Sequence, residues 1–133
     1  KILIINIINK IMGNINTLPK NVSYETIMNN NDKYILINTL PYDEQNCLIK
    51  NTIVAKNEEN VVNNLKKSQN IIIYGKNCRD LSVYKKYKHL HLHGFTNVYI
   101  YMGGMFEWLL LKDVYGNTLF STDGDEIDLL TYK

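Results

Sequence analysis

Residues 71–110 read IIIYGKNCRDLSVYKKYKHLHLHGFTNVYIYMGGMFEWLL, and the order of patterns within them decides the fold class. Ile71–Tyr74 is a short run of β-branched and aromatic residues with no polar member, the mark of a strand buried on both faces. A polar stretch opening on Gly75 follows, and then Asp80–His93, where Leu81, Tyr84, Tyr87 or Lys88, and Leu92 recur at three- and four-residue spacing. Asp80 is placed to cap that helix with its carboxylate, and Gly94 stands where a helix end needs a residue with positive φ. A second strand is read at Val98–Tyr101, and a turn at Gly103 and Gly104 leads into a helix over Met105–Asp113. Strand, helix, strand, helix in this order is the pattern of βα units around a parallel sheet.

The pattern continues upstream. Strands are expected at Tyr34–Asn38 and Thr52–Val54, and helices at Ser23–Asn29 and Glu58–Lys67. The expected fold is therefore α/β, a central and mostly parallel β-sheet with helices on both faces. Ahead of it, Ile4, Ile5, Ile8, Ile11 and Met12 repeat at helical spacing and predict an amphipathic helix packed on its own domain. A second copy or another protein is the alternative surface for it to cover. Asn6, Asn9 and Lys10 interrupt the apolar run, which falls short of the ~20 apolar residues of a membrane span. The chain divides into an N-terminal apolar arm, residues 1–20, and one domain, residues 21–133. Its tail carries Asp123, Asp125, Glu126 and Asp128 around Gly124 without EF-hand spacing, and reads as a solvated turn. A chain that begins at Lys1 rather than Met is expected to be trimmed.

Composition excludes several functions. With 133 residues the chain has the length of one domain with a real core, and 15 basic against 13 acidic residues leave no footprint for nucleic acid. The 19 Asn, 17 Ile and 14 Lys against one Arg and one Ala are the bias of AT-rich coding, so Asn and Lys abundance carries no functional meaning. Cys47 and Cys78 are too few for a disulfide framework, which fits an intracellular, cytoplasmic setting. No cofactor is expected.

Gly94, Phe95, Asn97 and Val98, followed by Gly103, Gly104, Glu107 and Trp108, resemble in order and spacing the second half of a rhodanese domain. That family places a strand ending in Tyr-Cys before an active-site loop and a helix, then Gly-Phe-x-Asn-Val, a strand, and Gly-Gly ahead of a Trp. The resemblance spans roughly residues 22–111, and upstream it is one of pattern only. Asn38 stands where the family has Asp, Leu40 where it has Arg, and the Gly-His-Ile-Pro motif is missing near Cys47–Val54. The biased composition also resembles that of small rhodanese-like proteins of large DNA viruses or protists, which would make a virion-associated setting the alternative to the cytoplasm.

The resemblance implies a cysteine nucleophile directly after the strand, cradled by loop N–H groups and the next helix, that carries sulfur as a persulfide. The residue directly after Tyr74 is Gly75. Cys78 lies three residues on, in the loop formed by Gly75, Lys76, Asn77 and Asp80, beside Arg79; cations and a helix start favour a thiolate. Counted back from Gly94, the family's cysteine falls on Asn77, one residue from Cys78. Two readings follow: a non-catalytic binding or structural module, or a thiosulfate-type sulfurtransferase in which Cys78 is the nucleophile and Arg79 steadies the persulfide. A Cys-(x)5-Arg phosphate cradle would need Arg where Tyr84 stands. Cys47 reads as a buried, inert thiol. His89 and His93 share a helix face, but lacking a third ligand they read as helix-end residues near the C-terminal dipole, with no metal expected. Lys85, Lys86 and Lys88 read as a solvated helix face, and Trp108, Tyr74, Tyr99 and Tyr101 as core.

Overall fold

The computed structural model describes residues 2–12 and 19–133. In chain order they form α1 (Ile2–Met12), β1 (Lys20–Val22), α2 (Tyr24–Asn30), β2 (Ile35–Asn38), β3 (Cys47–Ile49), β4 (Thr52–Ile53) and α3 (Ala55–Asn63). There follow β5 (Ile71–Tyr74), α4 (Ser82–Leu92), β6 (Val98–Tyr101), α5 (Gly104–Tyr115), β7 (Thr122–Gly124) and a 3-10 turn at Leu129–Tyr132. Five strands build the central sheet in the order β1-β6-β5-β2-β4, every pairing parallel. The expected α/β architecture is present.

Side chains alternate across the sheet as the strand period requires. Leu36, Ile72, Tyr74 and Tyr101 face one core with Ile27, Met105, Trp108 and Phe120, whereas Ile37, Ile71, Ile73, Val98 and Ile100 face the other with Val83, Tyr84, Tyr87 and Leu90. Helices α2 and α5 thus cover one face and α4 the other. Trp108 buries its ring and donates its indole N–H to the Ser121 carbonyl at 3.0 Å, so about 2–3 kcal/mol of transfer free energy comes without an orphaned donor. The Gly-Phe-x-Asn-Val phrase is structural throughout. Gly94 has φ +94°, Phe95 is buried beneath the Lys67 ammonium at 4.4 Å, and Asn97 donates to the Ser68 carbonyl and accepts from Ile71 N–H.

Helix α1 packs on α4, burying Ile8 and half-burying Ile11. Of the expected stripe, Ile5 points outward, 46% exposed, with Leu3 and Ile7; the side chains of Ile4 and Met12, like residues 13–18, lie outside the described residues.

Two expectations are corrected. Helix α3 runs over Ala55–Asn63 rather than Glu58–Lys67, because the Gln45 side chain accepts the Ala55 N–H at 3.0 Å and a turn through Asn64 and Leu65 closes the other end. The acidic residues of the tail are exposed as expected, but the segment is a paired strand rather than a turn. β7 pairs antiparallel with β3, Asp123 accepts from Asn51 N–H at 2.8 Å, Asp128 caps Leu130 N–H, and Tyr132 is buried. No helix among the described residues is long and apolar enough to cross a membrane.

Candidate functional site at the carboxyl edge of the sheet

Asn38, Tyr74 and Tyr101 lie side by side in register at the carboxyl ends of β2, β5 and β6, the edge where open parallel sheets bind ligands. The loop between β5 and α4 sits on this edge and is held by α5 and by the C-terminal segment. Gly75 and Lys76 carbonyls accept the Met105 and Phe106 N–H groups at 3.0 Å each, satisfying amides at the start of α5 that have no partner within the helix. Gly104 makes that approach feasible: its φ is +64°, and a Cβ there would stand 2.5 Å from the Gly75 carbonyl oxygen. Asn77 donates its side-chain amide to the Tyr132 carbonyl at 2.8 Å, so the C-terminal segment also ties the loop down.

The centre of the loop is filled by the carboxylate of Asp80. One oxygen accepts from Lys76 N–H at 2.8 Å, and the other from Ser82 N–H at 3.0 Å and the Ser82 hydroxyl at 2.6 Å. Asp80 therefore caps the start of α4, as its position in the sequence implies, and it also reaches back across the loop to the residue after Gly75. A Cβ placed on the buried Gly75 would collide with the Asp80 carboxylate and lie 2.8 Å from the Thr39 hydroxyl. The glycine and the carboxylate fit one another.

Cys78 is exposed at the crest of the loop, in a turn closed by Asp80 N–H to the Asn77 carbonyl at 3.1 Å and by Arg79 N–H to the Asn77 side chain at 2.9 Å. Arg79 is exposed beside it. Thr39, Pro41, Lys76, Asn77, Arg79, Asp80 and Ser82 line one shallow cleft, so the structure brings Lys76, Asn77, Arg79 and Asp80 together but leaves Cys78 and the buried Gly75 outside its lining. Cys47 is buried in β3, where loss of solvation pushes its thiol pKa up against the opposing pull of Lys112. Both thiols are free.

Around the cleft, neutral side chains that match no motif hold the walls in place. The Asn38 amide is buried: its nitrogen donates to Gln45 at 2.9 Å and to the Ile53 carbonyl at 3.2 Å, and its oxygen accepts from Gln45 at 2.8 Å and Leu40 N–H at 3.1 Å. This reciprocal amide pair fixes the 39–46 loop, the near wall of the cleft. The Tyr74 hydroxyl closes a ring with Ile49 N–H at 3.1 Å and Thr52 Oγ1 at 2.7 Å; burial holds its proton well above the usual tyrosine range. Tyr101 donates to Glu107 at 2.7 Å, and burial followed by that carboxylate raises its pKa likewise. Thr39, Ser82 and Gln45 carry no motif signal, since any polar residue at their positions reads as loop.

On α4, Lys86 pairs with Glu58, while Lys85 is exposed. The His89 and His93 rings lie 4.3 Å apart, and burial, then His93, pulls the His89 pKa below its usual value. Among the described residues no group of three His, Cys, Asp or Glu side chains is placed to hold a metal ion.

The model of the rhodanese-like domain matches residues 28–111. Among solved structures, the chain is similar to the Alr3790 protein of Anabaena sp., at 18% identity and TM-score 0.59, covering 83% of this chain and 84% of that one. It is also similar to a protein from Lactobacillus plantarum, at 17% identity and TM-score 0.53 over 69% of this chain and 82% of that one. A rhodanese-related protein from Thermoplasma volcanium matches at 14% identity and TM-score 0.50 over 68% and 91% of the two chains. A search of the curated proteins finds no match. With its family model matched across most of the chain and its fold shared with these structures, the protein belongs to the rhodanese-like domain family.

Proposed function

We propose that this domain is a non-catalytic binding or structural module, a rhodanese-like scaffold that has lost the cysteine after β5. The observation that carries the reading is the pairing of Gly75 with the Asp80 carboxylate inside the loop. Sulfur transfer of the family's kind needs a thiolate at that point and loop amides free to steady a negative charge. Here Lys76 N–H and Ser82 N–H are already bound to a carboxylate. A second anion brought within about 4 Å of it would meet a repulsion of about 4 kcal/mol at an effective dielectric constant of about 20. The buried Asn38, in place of a charged residue, supports the same reading, because it builds the wall without contributing charge. The outward side chains Leu3, Ile5 and Ile7 of α1 support a partner protein or a second copy meeting the N-terminal arm.

One observation favours a second reading: Cys78 is exposed and flanked by Arg79. In that scheme the Cys78 thiolate attacks the outer sulfur of thiosulfate, the S–S bond breaks, and sulfite leaves. Cyanide then takes the sulfur as thiocyanate and returns the thiolate. Assaying thiocyanate formation with the purified protein, beside Cys78→Ser and Cys47→Ser, separates the two. The module reading expects no turnover and no sulfur added to the intact mass; turnover abolished only by Cys78→Ser would establish the sulfurtransferase.

A further inference from the structure

The cleft at the loop does not end at Ser82. It shares Thr39 and Ser82 with a stretch beneath Tyr42, and that stretch shares Glu58, Glu59 and His89 with a third that reaches His93. Together they form one groove beside α4, about 17 Å from Ser82 to His93 at 1.5 Å per helical residue. A chain extended along it spans about five residues at 3.3 Å each.

The groove is charged unevenly. Lys76 and Arg79 line its loop end and Lys85 the next stretch, one helical turn past Ser82; among the described residues none of the three forms an ion pair, whereas Lys86 is taken by Glu58. Asp80, the carboxylate lining the loop-end stretch, spends both oxygens on Lys76 N–H and on Ser82, so Lys76, Arg79 and the positive end of α4 outweigh it. Further along, Glu59 lines the wall with no ion-pair partner among the described residues. Tyr42, 72% exposed, lies on the same wall as Leu40, an aromatic side chain standing in solvent at the rim of a concave surface.

We propose that this groove docks an extended segment of a partner protein, with acidic residues at the loop end facing Lys76, Arg79 and Lys85 and uncharged residues passing Tyr42 toward Glu59. The proposal rests on the module reading and gives its partner a chemistry. A small oxyanion fits less well, because the amide donors of Lys76 and Ser82 are already bound to Asp80. A polyanion charged at every step would set its far half against Glu59.

The test uses the whole chain and fluorescent peptides of about six residues with two glutamates at one terminus, beside the same peptides carrying glutamine. Anisotropy titrations are run at low and raised salt, with an Arg79→Glu/Lys85→Glu variant; both positions are exposed, and circular dichroism checks the fold. The proposal expects saturable binding that weakens at least tenfold on replacing glutamate by glutamine, at least tenfold in the charge-reversed variant, and further with salt. Equal binding of the two peptides, or no saturation up to millimolar peptide, overturns it. So does displacement by inorganic phosphate at an ionic strength where chloride has no effect, which would mark a small-anion site. Thiocyanate turnover in the parallel assay would sink the module reading itself, whereas failed peptide binding without turnover sinks this inference alone.

Discussion

The Asn38 side chain both donates and accepts, and a carboxylate in its place loses two donors at once. Asn38→Asp would set negative charge against the Gln45 oxygen and the Ile53 carbonyl in a buried site. We predict a loss of about 1–3 kcal/mol, the cost of leaving buried acceptors unpaired, read as a lower urea midpoint at pH 7 with unchanged m-value. Asp80 and Gly75 are coupled differently, since neither position is intelligible alone. From the sequence Asp80 is legible as the cap of α4, because capping is a local property. Its second bond, to Lys76 N–H, depends on how tightly the loop turns back, and no spacing rule records that. Gly75 is visible as a missing cysteine, yet what takes up the vacated space appears only in three dimensions.

At the scale of elements, the sheet was readable because β2, β5 and β6 are β-branched runs buried on both faces, a signal that survives any tertiary context. β1, β3 and β7 were not read, being three residues each and paired to distant partners. Helix α3 was misplaced for the same kind of reason: Gln45, ten residues upstream, sets where it begins. In α1 the spacing predicted the helix correctly but not which stripe docks, because only α4 decides that. Removing the methyl groups that touch α4 should therefore cost more than removing outward ones. Ile8→Ala is expected to destabilise by about 2 kcal/mol, and Leu3→Ala by less than about 0.5 kcal/mol, in urea unfolding. Equal, negligible effects would mean that the arm does not dock on its own domain.

The whole molecule is closed by its tail, which brings Tyr132 under the loop and links α5, β3 and the cleft into one unit. That closure buries acids in their protonated form. Tyr132 is pushed up to about 12 by burial, then by Cys47 and Glu44 nearby; burial raises Tyr74, Tyr101 and Cys47 as well. These groups keep their protons in the folded state while the unfolded chain releases them near pH 9 for the thiol and 10 for the phenols. Below those values both states are protonated and the contribution is complete; above them the unfolded state binds fewer protons, so stability falls as pH rises. We predict a melting temperature that declines from about pH 9 and steeply beyond about pH 10.

The central claim is that Asp80 holds the amides a bound anion would use. Its most direct test is a thiosulfate titration of the 15N-labelled protein, followed at the Lys76 and Ser82 amide resonances in the wild type and in Asp80→Ala, whose spectrum also reports its fold. Both amides are expected to stay in place in the wild type and to shift saturably once the carboxylate is gone. Saturable shifts of the same two amides in the wild type would contradict it, and would return the loop to the anion-binding role from which Asp80 excludes it.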